Sequence, residues 1–310
     1  MKDGASTSSA GTESADRLPA AIALRLTSVM LFALMNATIK LAEAEGARIG
    51  EILFFRQFGA TLLVTAVVAA GPGLGSIRTK RIGAHVLRAV VGLTAMACTF
   101  AAIMALPLAE QTTIGFSVPI FATVLGALLL REPTGPWRWG AVLAGFVGVL
   151  IVAQPGGRHF PLWGAGLGLT GAFLTSLVSI LLRQIGKTEN ATTTVFWFSL
   201  LSLPPLGFVY MGSAQVHAPL AWAYLVAIGL LGGAAQLAMT GSLRLGPVSV
   251  VVPMDYSSLL WATLLGWVLF GALPAPATWI GAPIIIASGL TIVWREHVRR
   301  RRETEQAIPE

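Results

Sequence analysis

Residues 122–126 read ATVLG, and residues 262–266, 140 positions later, read ATLLG. The same shift pairs a glycine and a proline of the first half with their counterparts in the second, Gly92 with Gly232 and Pro107 with Pro247. Single matches are expected by chance in so apolar a sequence, whereas a fixed order at a nearly constant offset indicates an internal repeat. The sequence therefore predicts two related halves, residues 20–154 and 155–294.

The composition is that of a protein whose solvent is lipid. Hydrophobic residues make up 55% of the 310 residues and charged residues only 11%, with a mean hydropathy of +0.75. Soluble domains average about 25% charged residues. Apolar stretches near the ~20 residues needed to cross a bilayer recur along the whole chain. They predict an all-α membrane protein with ten transmembrane helices, at about residues 20–42, 50–70, 84–105, 108–130, 136–154, 161–183, 191–211, 219–241, 247–271 and 275–294.

Each predicted repeat contains five helices, which is an odd number. The second repeat must therefore enter the membrane from the opposite side, giving two inverted five-helix repeats around a central cavity. This architecture is typical of secondary transporters, in which the two halves exchange inward-open and outward-open shapes around one site. We accordingly expect transport by alternating access, and treat an inherited duplication without a transport role as the alternative.

The lysines and arginines predict the orientation of the chain. With the N terminus in the cytoplasm, the predicted external loops hold only Arg48 and Arg158, and the other basic residues outside the spans face inward. Because basic residues are retained on the cytoplasmic side, we expect a multi-pass protein of the bacterial inner membrane with both termini in the cytoplasm. Residues 1–19 are predicted to form a disordered tail. Residues 295–310 are predicted to form a basic tail whose arginines contact anionic lipid head groups.

Seven short motifs lie in order along the chain: FFR at 54–56, ALP at 105–107, FSVPIF at 116–121, RW at 138–139, GFVG at 145–148, PMDY at 253–256 and GAPIII at 281–286. With these motifs the chain resembles the drug/metabolite transporter superfamily, in its ten-helix EamA-type branch. The resemblance covers nearly the whole chain from about residue 20 to 295. It implies a metabolite transporter, most similar to those for S-adenosylmethionine, riboflavin or amino-acid-like compounds. A drug or amino-acid exporter of the same fold is the alternative.

A few polar side chains lie at membrane depth, where an unpartnered charge is expensive and therefore informative. We predict that seven of them line the cavity, namely Asn36, Arg56, Gln57 and Gln111 from the first repeat and Gln236, Asp255 and Tyr256 from the second. A basic Arg56 on one wall and an acidic Asp255 on the other would suit a zwitterionic substrate. The alternative is that Arg56 and Asp255 pair with each other, or with the backbone, and never touch a ligand.

Aromatic residues and prolines add to this predicted site. Three aromatic rings are predicted to pack on an apolar or cationic part of the substrate, those of Phe121, Trp197 and Trp261. Pro119 and Pro253 interrupt the fourth and ninth predicted helices, and interrupted helices in corresponding segments point to a transporter site. Arg88, just over one turn into the third helix, is expected to extend towards the membrane interface.

The sequence contains no nucleotide-binding loop that would make ATP the direct energy source. We therefore expect transport to be driven by a gradient, with Glu110 and Asp255 as candidate proton-binding groups. Exchange against a second substrate is the alternative. The expected partners are a small-molecule substrate, membrane lipids and a second copy of the chain, which could pack through small residues of the fifth and tenth helices.

Other function classes lack their motifs. Residues 166–171 read GLGLTG, but they lie inside an apolar helix, so we interpret them as a packing face and not as a dinucleotide site. Four histidines form no HExxH pattern and Cys98 is a single thiol, so we expect no metal, no cofactor and no intramembrane enzyme acting on lipid head groups. A channel would need a filter loop of carbonyl groups. Scattered basic clusters likewise exclude a nucleic-acid groove.

Overall fold

The computed structural model describes residues 6–71, 73–129, 135–153, 161–245 and 251–306. Within these ranges every regular element is helical, which confirms the predicted all-α class. The α-helices are α1 (Ser6–Ala44), α2 (Ile49–Ala70), α3 (Ile82–Ala105), α4 (Leu108–Gly115), α5 (Val118–Leu129), α6 (Pro136–Ala153), α7 (Leu162–Ile185), α8 (Ala191–Ser213), α9 (Pro219–Leu245), α10 (Ser258–Phe270) and α11 (Pro276–Gln306). Two short 3-10 helices cover Leu74–Ile77 and Val252–Ser257.

Nine segments of the described chain are long and apolar enough to cross a bilayer. They match nine of the ten predicted spans, and α4 and α5 together form one of them, Leu108–Leu129. The remaining predicted span, 247–271, begins outside the described ranges. Its described part consists of the 3-10 helix Val252–Ser257 followed by α10. A multi-pass membrane fold is thus confirmed.

Two of these segments are irregular where the sequence places a proline. Pro119 lies in the first turn of α5 and cannot donate a backbone hydrogen bond, so the helix is interrupted between α4 and α5. At this break Ser117 Oγ donates a hydrogen bond to the carbonyl of Ile114. Pro253 lies in the 3-10 helix that precedes α10. Both breaks border the cavity described below.

The helices of the two halves pack in an exchanged pattern. The first helix of one half lies against the third membrane helix of the other, as α1 against α9 and α7 against α3. The second helices pack on each other, as α2 and α8 do, and so do the fifth, α6 and α11. Such reciprocal pairing is what two related five-helix repeats would produce.

Small residues allow the closest helix crossings. A Cβ added to Gly59 of α2 would lie 2.5 Å from the backbone of Gly229 in α9. A Cβ added to Gly281 of α11 would lie 2.7 Å from the carbonyl oxygen of Gly148 in α6. Only glycine permits backbones to approach this closely, which is the usual role of small residues at interfaces between membrane helices.

The terminal helices are longer than the predicted spans. α1 already begins at Ser6, inside the segment predicted to be a disordered tail, and α11 continues to Gln306 through the predicted basic tail. Alanine, glutamate and arginine favour a helix, and no proline interrupts residues 295–306. Residues 1–5 and 307–310 of the two predicted tails lie outside the described ranges.

Candidate functional site

A cavity of about 300 Å³ lies between α1, α4, α9 and the start of α10. Its walls are helix faces, because lining residues recur three or four positions apart in α1 and α4. They are Arg25, Ser28, Val29, Phe32, Ala33 and Asn36 of α1; Leu108, Gln111, Thr112, Gly115 and Phe116 of α4 and its end; and Met239, Asp255, Ser258 and Ala262. The volume is at the lower end of the range of about 300–1,000 Å³ found for small-molecule sites.

An ion pair forms part of the cavity wall. Arg25 donates from Nε to Asp255 Oδ1 at 2.6 Å and from Nη2 to Oδ2 at 2.5 Å. The side chain of Arg25 is only 8% exposed, whereas that of Asp255 is 42% exposed. The third guanidinium nitrogen, Nη1, is buried and has no hydrogen-bond partner among the described residues. The pair therefore keeps one spare donor on the buried cation and an accessible face on the carboxylate.

The rest of the cavity combines neutral polar groups with aromatic rings. Asn36, Gln111 and Thr112 bring amide and hydroxyl groups to it, while Phe32 and Phe116 bring rings. The hydroxyl of Ser28 is already committed, because it donates to the carbonyl of Ala235 at 2.8 Å. Such a lining can bind a molecule that has both an apolar body and several hydrogen-bonding groups.

Three of the predicted site residues line this cavity, namely Asn36, Gln111 and Asp255. Tyr256 lies behind the wall, where its ring meets Phe116 edge-on with 5.0 Å between ring centroids. Its hydroxyl points at Gly289 of α11, where an added Cβ would come within 1.9 Å. Tyr256 therefore supports the ring of Phe116 from behind.

The other predicted residues are not among those that line the cavity. Arg56 is buried and donates from Nη1 to the side-chain oxygen of Gln57 at 2.6 Å. The ring of Phe121 packs between other rings, and the Trp197 indole donates to the carbonyl of Ile77 at 2.8 Å. Gln236 and Trp261 are half-buried and do not border the cavity.

Arg25, and not Arg56, is the basic residue opposite Asp255. The structure does not contain the direct pairing of Arg56 with Asp255, because Asp255 accepts from Arg25 and Arg56 donates to Gln57. The sequence did contain a signal for this residue, since Arg25 lies five residues inside the first apolar stretch. A basic residue near the predicted inner end of the first span is also typical of a membrane-orientation signal, so the sequence alone does not place Arg25 in the cavity.

Glu110 of α4, a predicted proton-binding group, contacts the N terminus of α11. Its Oε1 accepts hydrogen bonds from the backbone N–H of Ala275 at 2.7 Å and from the hydroxyl of Thr278 at 3.2 Å. Its Oε2 is buried without a partner. The carboxyl group thus joins α4 to α11 by satisfying a backbone donor that the helix itself cannot satisfy.

Two buried histidine–glutamate contacts join the halves of the molecule. Oε1 of Glu51, at the start of α2, lies 2.8 Å from Nε2 of His217, just before α9. Nε2 of His85, at the start of α3, lies 2.5 Å from Oε2 of Glu189 in the α7–α8 connection. Partial burial opposes ionisation of Glu189, but hydrogen bonds from Thr79 and His85 outweigh it and lower the pKa of its carboxyl group.

These groups are suited to binding rather than to bond breaking. Among the described residues no three His, Cys, Asp or Glu side chains cluster as metal ligands would. The ionisable groups of the cavity neutralise each other, and the remaining polar groups are amides and hydroxyls. The cavity can enclose a ligand and form hydrogen bonds with it. Charged groups of the ligand can compete with Arg25 and Asp255 for each other's hydrogen bonds.

The sequence matches the model of the EamA-like transporter family twice, over residues 19–154 and 162–294. It is 28% identical over 283 residues to a riboflavin transporter of Vibrio cholerae, a match that covers 90% of this chain and 94% of the relative. It is 24% identical to the pseudopaline exporter CntI of Pseudomonas aeruginosa, covering 89% of this chain and 97% of that protein. Human solute carrier family 35 member G1 is 24% identical, with 86% of this chain and 76% of the relative covered.

A solved crystal structure supports the same fold. It superimposes with a TM-score of 0.60 at 21% identity, covering 92% of this chain and 99% of the other. The relatives named above are transporters, which agrees with the predicted superfamily resemblance and with the prediction that the chain is not an enzyme. By two matches that together span most of its length, the chain belongs to the EamA-like transporter family.

Proposed function

We propose that the chain is a secondary active transporter of a small polar or zwitterionic metabolite, which binds in the cavity beside Arg25 and Asp255. The observation that carries this proposal is the ion pair in the cavity wall, with a spare guanidinium donor and an accessible carboxylate. The names of the relatives support a metabolite substrate, since one is called a riboflavin transporter and another a pseudopaline exporter.

The ion pair offers a mechanism for coupling binding to movement. A substrate amine would compete for Asp255, and a substrate carboxylate would compete for Arg25. A zwitterion would replace both partners at once, so that neither charge is left unpaired when the pair separates. Because the pair connects the two halves, a substrate that breaks it would favour a different arrangement of the halves.

A larger substrate would reach beyond the present cavity. Gln236 lies one helical turn before Met239 on α9, and Trp261 follows Ser258 by three residues on α10. Residues three or four apart share a helix face, so both side chains lie next to the lining residues of their helices. We therefore retain Gln236 and Trp261 as proposed substrate contacts.

The alternating-access model rests on two inverted repeats with both termini in the cytoplasm. The exchanged packing of α1 with α9 and of α3 with α7 supports this relation. Under the proposed orientation Glu51 and His217 lie near the outer face, and His85 and Glu189 near the cytoplasmic face. Opening one face would separate one histidine–glutamate contact and keep the other.

The energy source is proposed to be a gradient, with Asp255 or Glu110 binding the proton. Proton coupling predicts that uptake into proteoliposomes depends on a pH gradient and falls in Asp255→Asn or Glu110→Gln. Uptake that is the same with and without the gradient, and the same in both variants, would contradict proton coupling and favour exchange. Net export is the alternative direction, and efflux from loaded vesicles of known orientation would identify it.

The proposed function is tested by screening the purified protein against metabolites for thermal stabilisation. A ligand that binds only the folded state raises the unfolding temperature by mass action. The ligand found should stabilise the wild type and the surface control Arg78→Gln equally. Asp255→Asn and Arg25→Gln should weaken its binding at least tenfold. Equal binding by all four proteins would exclude the cavity as the substrate site.

A further inference from the structure

Two arginines of the membrane helices, Arg56 and Arg88, form no ion pair with a carboxylate of the described residues; the first is buried and the second half-buried. Arg56 of α2 is 9% exposed, and its one hydrogen bond goes to the neutral side chain of Gln57. Arg88 of α3 has its guanidinium carbon 3.7 Å from the centre of the Phe198 ring. Arg88 is half-buried, and its guanidinium group stacks on this ring of α8, while its extension towards the membrane interface stays a prediction.

Both arginines retain unused hydrogen-bond donors. In the part of the chain that the structure describes, four buried nitrogen atoms have no hydrogen-bond partner: Nε of Arg56, Nε and Nη1 of Arg88 and the amide nitrogen of Gln57. A guanidinium group keeps its proton under all ordinary conditions, so burial does not remove these charges. Within the described ranges no carboxylate forms an ion pair with either arginine, and the two positive charges repel each other.

A glycine lies beside each of the two arginine side chains. A Cβ on Gly92 of α3 would lie 2.7 Å from Nη1 of Arg88. A Cβ on Gly232 of α9 would lie 3.4 Å from Cγ and 3.5 Å from Nε of Arg56. These two glycines are the pair that the 140-residue shift relates, so each half of the chain keeps a small residue beside one arginine.

We propose that Arg56, Arg88 and Gln57 form a binding site for one oxyanion, a carboxylate or a phosphate group. A cation at membrane depth persists where a partner compensates it, and within the described ranges these two have only the Gln57 side-chain oxygen and the Phe198 ring, neither of which carries a negative charge. Guanidinium groups bind carboxylate and phosphate through paired N–H donors, and the Gln57 amide adds a neutral donor. The site is separate from the cavity of the proposed function, because none of its three residues lines that cavity.

The oxyanion could belong to a soluble molecule or to a lipid head group, and the experiment separates the two. The unfolding temperature of the full-length, delipidated protein in detergent is measured against inorganic phosphate, succinate and phosphatidylglycerol. Sodium chloride at matched ionic strength is the control. A saturable rise with phosphate or succinate indicates a soluble anion, and a rise with phosphatidylglycerol alone indicates a lipid.

Variants assign the response to the site. Arg56→Gln and Arg88→Gln should each weaken the apparent affinity for the effective probe at least tenfold. Arg78→Gln, which removes the same charge from an exposed loop, should leave it unchanged. If a glutamine variant does not fold, Arg56→Lys and Arg88→Lys keep the charge but lose the paired donors, and they too should bind more weakly. A wild type that responds to none of the three probes beyond the chloride control, or variants that respond as it does, would overturn the proposal.

Discussion

Arg25 and Asp255 lie 230 positions apart in the chain and meet as a two-bonded ion pair at 2.6 and 2.5 Å. The pair joins α1 of the first half to the segment before α10 of the second half. It is thus a direct connection between the halves at the wall of the proposed substrate cavity. Any movement that separates the halves here must exchange these two hydrogen bonds for others.

The ion pair should be visible in a double-mutant cycle. Arg25→Gln and Asp255→Asn should each lower the free energy of unfolding by about 1–3 kcal/mol, because each leaves the other charge unpaired. The partial exposure of Asp255 limits the interaction energy between the two to about 1 kcal/mol. Denaturant unfolding of both single variants and the double variant in detergent measures it. Strictly additive losses would contradict a direct interaction in solution.

Glu110 should prove structural in its effect on stability. Glu110→Ala removes the acceptor for the Ala275 N–H and the Thr278 hydroxyl and should cost about 1–2 kcal/mol, as the loss of a helix cap does. Glu110→Gln keeps an acceptor oxygen and should cost much less. Unfolding midpoints of the two variants provide the measurement. A glutamine variant as unstable as the alanine variant would show that the negative charge itself is required.

Acid should selectively weaken the contact of Glu189 with His85. The pKa of this carboxyl group is lowered in the folded protein, so its contribution is complete above the ordinary glutamate pKa of about 4.3 and is lost as the pH falls through the lower folded value. The difference in unfolding temperature between wild type and Glu189→Gln should therefore hold from neutral pH down to about 4.3 and shrink as the pH falls further. A difference that stays constant over the whole range would contradict the lowered pKa.

The fold was predictable because lipid imposes simple rules on sequence. Length and hydropathy located the spans, and the repeat offset and the prolines located the two irregular helices. The start of the described helix at Ser6 was not predictable in the same way, because hydropathy does not report on a polar stretch that can extend a helix. Packing partners such as α1 with α9 could not be read from either half alone.

The site was only partly predictable from the sequence. Asn36, Gln111 and Asp255 were found because a polar group inside an apolar stretch is conspicuous. Arg25 was missed because its position near a helix end resembles an orientation signal. The position of Arg56 outside the cavity lining was not predictable from the sequence. The direction of its side chain depends on how α2 packs against α8 and α9.

Membrane orientation is testable with single cysteines in a background where Cys98 is replaced by alanine. Cysteines at Gly75 and Thr188, both exposed in the structure, should react only with reagent that reaches the cytoplasm. A cysteine at Gly157, which lies outside the described ranges, should react from outside the cell. The reason is the excess of lysine and arginine in the predicted inner loops. Labelling of Gly75 by an impermeant reagent in intact cells would reverse the orientation.

The most direct test of the proposed transport site is uptake of the metabolite identified by the thermal screen into proteoliposomes. Wild type and Arg78→Gln should show saturable uptake that unlabelled metabolite competes away. Asp255→Asn, reconstituted in equal amount and folded as judged by gel filtration, should lose at least nine-tenths of that uptake, because Arg25 then lacks the partner with which the substrate exchanges. Full uptake by folded Asp255→Asn would show that the substrate passes without using the cavity beside Arg25.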